Sequence, residues 1–127
     1  MKEIVYTKSA PEAIGPYSQG IKVKATEMFF CSGQLPIDSD GNQLISGSPI
    51  EETRKVMDNL KAIIEAAGYS MDDVVKTTIY LTDLSVFKEV NEVYASYFHN
   101  SFPARSTVQV SALPKGATIE IDVVACK

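Results

Sequence analysis

The chain has 127 residues, room for one hydrophobic core, and is 45% hydrophobic and 22% charged, an ordinary globular balance. Its formal net charge of -4, with no Lys/Arg run, argues against a nucleic-acid binder, which needs a basic stripe. One histidine and two cysteines without CxxC or paired-histidine spacing argue against a zinc site, and no apolar run approaches the ~20 residues of a membrane span.

Taken in chain order, "EIVYT" is a short strand. "SAPEAIGPYSQG", residues 9–20, is a loop with two prolines and two glycines. "GIKVKA" alternates Ile21 and Val23 against Lys22 and Lys24, the pattern of a half-buried strand. "EMFFCSGQLP" is more apolar and reads as a more buried strand, followed by a turn at "DSDGN" with an Asp40-Gly41 signal. A helix then starts at Ser48 as N-cap, with Pro49 at its first position and Glu51 completing a capping box. Val56, Met57, Leu60, Ile63, Ile64 and Ala67 make its apolar stripe, and Gly68 ends it.

"DVVKTTIYLTD" is rich in β-branched residues and reads as a strand. A second helix begins near Asp83 or Ser85, carries Phe87, Val90, Tyr94, Tyr97 and Phe98 on one side, and stops before Asn100 and Pro103. "ARSTVQVSA" and "TIEIDVVA" are the last strands, joined through "LPKG". The order β-β-β-α-β-α-β-β predicts a single α+β domain over residues 1–127, with both helices on one face of a mixed sheet. The uncovered face would suit an oligomer interface. Cys31 and Cys126 read as buried, reduced thiols in a cytoplasmic protein.

The last two strands carry the candidate chemistry. If they pair as a hairpin with their apolar sets on the core face, Arg105, Thr107, Gln109, Glu120 and Asp122 share the opposite face. An arginine offers a planar fork for a carboxylate or phosphate, and a glutamate beside it can act as general base or orient a water. The same two residues could be a cross-strand ion pair, and spacing alone favours that plainer reading, since structural pairs are commoner than sites.

Five segments add to this: "APEAIGPYSQGI", "FCSGQLP", "VVKTTIYLTDL", "NEVYASYF" and "FPARSTVQVSALPKGATIEIDVVA". Through them the chain resembles the YjgF/RidA family of enamine/imine deaminases over its whole length. The first and last are the specific ones. The resemblance implies a fold similar to the Bacillus type of chorismate mutase, a homotrimer with sites in clefts between subunits, and no cofactor. It implies hydrolysis of 2-aminoacrylate and related enamines or imines, which PLP enzymes release, to a 2-oxo acid and ammonia.

The resemblance further implies roles. Arg105 would bind the substrate carboxylate, Glu120 would position or activate the attacking water, and Tyr17 would close the pocket and assist proton transfer. Ser32 and Gly33 would line it, with Gly33 permitting close backbone approach. Thr107 would contact the ligand through its backbone, and Phe87 and Asn91 would shape the site. Many family members carry a cysteine where this chain has Thr107, so no thiol acts there; the hydrolytic scheme does not need one. A pocket that only senses 2-oxo acids is the alternative. The family's older names, translation inhibitor and ribonuclease, sit poorly with an acidic chain whose lone histidine, His99, falls near a helix end.

Overall fold

The computed structural model describes residues 2–40 and 42–127. Ser48, Pro49 and the acidic first turn start α1, which spans Pro49–Ala66. Ser48 Oγ accepts the Glu51 N–H at 3.2 Å. The carboxylate that reaches back is that of Glu52, accepting the Gly47 N–H at 3.4 Å. Gly68 ends the helix at φ +83°, a backbone region that L side chains avoid. There the Tyr69 N–H returns to Ile64 O and the Gly68 N–H to Glu65 O, both at 3.0 Å, the hydrogen-bond pattern of a Schellman cap. Asp83 caps a short 3-10 turn by accepting the Ser85 N–H at 2.9 Å, and α2, Phe87–Ala95, follows directly. It ends before Tyr97 and Phe98, which pack from the turn beyond it.

Six strands complete the fold: β1 (Lys2–Val5), β2 (Gly20–Val23), β3 (Met28–Gln34), β4 (Val74–Leu81), β5 (Ala104–Gln109) and β6 (Ile119–Cys126). β1 and β2 pair with each other as a separate antiparallel ribbon. The other four form a mixed sheet in the order β3-β6-β4-β5. β6 runs antiparallel to both β3 and β4, whereas β4 and β5 are parallel and joined through α2.

One face of this sheet takes Val74, Ile79, Leu81, Ile119, Ile121 and Val123 against Val56, Met57, Leu60 and Ile64 of α1 and Val90 and Tyr94 of α2. Burying each such aliphatic side chain contributes about 1.5–3 kcal/mol. The opposite face is bare: Phe30 is 69% exposed, Met28 54% and Val108 42%.

Two expectations change here, those for strand burial and for the pairing of the last two strands. β2 and β3 are less buried than their composition suggests, because β1–β2 stands off the main sheet and β3 is an edge strand with one uncovered face. The turn after β3 forms between bridged Ile37 and Leu44, although Gly41 of the expected Asp40-Gly41 signal lies outside the described residues. The last two strands do not form a hairpin. Lys115 (φ 61°) and Gly116 (φ 71°) redirect the connection across the end of β4, where the Thr82 N–H meets Thr118 O at 3.1 Å. β4 therefore lies between β5 and β6.

Candidate functional site

That reordering decides where Arg105 points. Arg105 sits opposite Thr77 on β4, and Thr77 faces the helices, its hydroxyl 2.7 Å from that of Tyr94 on α2. Arg105 thus projects under α2, on the covered side of the sheet. Its guanidinium carbon lies 5.5 Å from the Tyr17 ring, 5.4 Å from Phe87 and 5.2 Å from Tyr94. One N–H is donated to Asn91 Oδ1 at 2.8 Å. Among the described residues no carboxylate lies within ion-pair distance of it.

Burial pulls the Arg105 pKa down, while Tyr94 and Tyr17 push it back up. An arginine remains a cation at neutral pH throughout such a shift. A half-buried guanidinium held by rings and one amide, with N–H groups to spare, is a receptor for a planar anion. It opens into a cleft of about 320 Å³ lined by Ile14, Gly15, Tyr17, Phe87, Asn91, Arg105 and Thr107. The Thr107 hydroxyl is buried there without a hydrogen-bond partner.

The loop before β2 supplies one wall of the cleft. A tight turn from the Tyr17 N–H to Gly15 O, 2.8 Å, presents the Tyr17 ring. Ser18 anchors it to the free side of β5: its N–H meets Pro103 O at 3.1 Å, its hydroxyl meets Phe102 O at 2.5 Å, and its backbone bridges Ala104.

Glu120 lies elsewhere. It pairs across the sheet with Tyr80, whose hydroxyl donates to Asp122 at 3.1 Å, so Glu120 and Asp122 stand on the uncovered face. The irregularity in β3 between Cys31 and Gln34 brings Gly33 under the Glu120 side chain. A Cβ on Gly33 would fall 2.0 Å from Glu120 Oε2, so only glycine leaves the carboxylate where it is. Ser32 is exposed beside it.

The expected common face for Arg105, Thr107, Gln109, Glu120 and Asp122 is therefore overturned. Arg105, Thr107 and Gln109 pair with Thr77, Ile79 and Leu81 on the helix side, while Glu120 and Asp122 pair with Tyr80 and Thr78 on the other. Tyr17, Phe87, Asn91, Arg105 and Thr107 come together in the cleft; Glu120, Gly33 and Ser32 form a second group across the sheet. Ile14, Gly15 and Tyr94 also belong to the first group. Tyr94 was legible as a neighbour of the site, since Phe87, Asn91 and Tyr94 share one helical face at spacings of four and three. His99 stands apart, in another cleft with Arg54 and Lys61.

Known proteins share this arrangement of chain. A RutC family protein of Pyrococcus horikoshii is 51% identical over 127 residues, covering 100% of this chain and 99% of that one. The human 2-iminobutanoate/2-iminopropanoate deaminase is 46% identical, covering 98% of this chain and 90% of its own. The crystal structure of E. coli TdcF with bound serine superposes with a TM-score of 0.75 at 40% identity, covering 98% of each chain. The family model described as endoribonuclease L-PSP matches residues 7–127. With whole-length relatives of this identity and a family match that takes in both the Tyr17 loop and the Arg105 strand, the chain belongs to the endoribonuclease L-PSP family, the YjgF/RidA family.

Proposed function

We propose that this chain hydrolyses small reactive enamines and imines, such as 2-aminoacrylate, to a 2-oxo acid and ammonia. The observation that carries the reading is the unpaired, half-buried Arg105 guanidinium in its aromatic surround. It suits a small carboxylate, and each charge-assisted hydrogen bond to it would contribute about 1.5–3 kcal/mol. The deaminase name of the human relative and the serine bound to TdcF agree with a small amino-acid-like ligand.

In the proposed reaction the enamine tautomerises to the imine. Water adds its oxygen to the imine carbon while the nitrogen takes up a proton. The carbinolamine then breaks its C–N bond, and ammonia leaves with the proton balance closed by water and a general base. Arg105 holds the carboxylate, Tyr17 closes over it, and Glu120 positions the water. No cofactor enters the scheme.

Because Arg105 and Glu120 stand on opposite faces of one sheet, the scheme takes Glu120, Gly33 and Ser32 from a neighbouring copy. The bare apolar face around Phe30 and Val108 would be covered in the same contact. A closed ring of three copies satisfies every cleft alike.

A coupled assay tests the reading. A serine or threonine dehydratase generates 2-aminoacrylate, and its decay to pyruvate is followed with and without this protein. Acceleration by the parent chain and its loss in Arg105→Ala are expected; an unchanged decay rate with parent protein overturns the proposal. Glu120→Gln then separates hydrolysis from sensing: rate falls while carboxylate affinity stays.

A further inference from the structure

We propose that the side-chain amide of Gln19 is the positioning device that holds Tyr17 against Arg105. The inference rests on the reading of Arg105 as the carboxylate receptor and concerns what keeps that receptor in shape.

Residues 6–19 connect Val5 to its cross-strand neighbour Gly20. A connection of this length has little main-chain bonding of its own, and Pro11 and Pro16 each lack an N–H. Gln19 fills the space. Its Oε1 accepts the Thr7 N–H at 2.6 Å. Its Nε2 donates to Thr7 O at 3.0 Å and to Pro11 O at 2.6 Å, with Ala10 O at 3.4 Å. One amide thereby ties the neck of the loop to its far limb.

Ser18, the adjoining residue, is fixed to Phe102 and Pro103 at the start of β5. Tyr17 comes next, its ring 5.5 Å from the Arg105 guanidinium carbon. The order along the chain is thus receptor wall, anchor, clamp. Ser18 sets where the wall attaches; Gln19 sets how much freedom the rest of the loop has. Only a side chain with both an acceptor and two donor hydrogens, at this length, makes the whole set. Glutamate keeps the acceptor and turns a negative charge toward three carbonyls.

Without the clamp, the ordering of the loop is deferred to the moment of ligand binding. Carboxylate affinity falls, whereas the water that the scheme assigns to the neighbouring copy's Glu120 is positioned as before. The loss should therefore appear in KM and not in kcat.

The experiment compares the parent protein with Gln19→Ala, Gln19→Glu and Tyr17→Ala, the last as the reference for a missing wall. Turnover of 2-aminoacrylate gives KM and kcat, and the proton shift of the Arg105 Nε–H reports the Tyr17 ring current without any ligand. Both Gln19 variants should raise KM about tenfold, with kcat within about threefold. Their Arg105 Nε–H shift should move most of the way to that of Tyr17→Ala, with the thermal midpoint nearly unchanged. A parent-like KM and shift, or a fall in kcat at constant KM, overturns the proposal. Should the parent protein fail to hydrolyse imines at all, the proposed reaction falls, and the Arg105 shift alone decides the role of Gln19. Should Gln19→Ala fail to fold, Gln19→Glu carries the same comparison.

Discussion

At the scale of single residues, the surroundings of Arg105 set how it responds to change. Lysine keeps the charge but has no planar fork, so Arg105→Lys should raise the KM for an imine substrate by about 10- to 100-fold, checked by steady-state kinetics. Gly33 acts on the other group. Gly33→Ala places a methyl where Glu120 now rests, and the expected result is a drop in kcat of at least about tenfold with the fold retained, as judged by circular dichroism. Tyr94 links the core to the cleft. Burial pushes its phenol up to about 12, with the Thr77 hydrogen bond and Arg105 opposing. The unfolded chain releases this proton near pH 10 and the folded chain holds it, so the associated stability is complete below about pH 10 and is lost as pH climbs through about 12. Phenolate absorbance should show Tyr94 still protonated at about pH 11, and Tyr94→Phe should flatten the alkaline fall in stability.

At the scale of elements, local signals and long-range pairing part company. Ser48, Pro49 and Gly68 declared α1 in the sequence because caps act within a turn or two of their own position. Ser48→Ala should cost about 1 kcal/mol and lower the thermal midpoint by about 4 °C, read by calorimetry. The β-branched run at 74–81 was equally legible as a strand. What the sequence did not reveal was that β4 lies between β5 and β6. A short connection between two alternating strands reads as a hairpin, and nothing local in "LPKG" says that the chain crosses the end of β4 instead. The error propagated: assuming a hairpin put Arg105 and Glu120 on one face, while the true pairing separates them. The candidate residues were legible through the resemblance carried by the Tyr17 loop and the last two strands, since spacing alone favoured a plain ion pair between Arg105 and Glu120. Their division into two groups required the sheet order.

At the scale of the whole molecule, that division makes a test available that needs no structure of an assembly. If each working site takes Arg105 from one copy and Glu120 from the next, Arg105→Ala and Glu120→Gln are each inactive alone. Unfolded together in equal amounts and refolded, they should recover about a quarter of the parent activity, the share of contacts in which both intact residues meet. No recovery, with mixed oligomers verified by mass spectrometry, would place both residues in a site within one chain.

The strand β5 closes one end of the sheet order, and its outer side would otherwise be a row of open backbone groups. The Ser18 bridge to Ala104 occupies the start of that row. The loop that walls the cleft is thus also a guard against strand addition by another chain. Damage to it carries a second penalty besides lost turnover: an uncovered template for aggregation, so that variants of this loop would be depleted from cells by precipitation and clearance even where their chemistry survives.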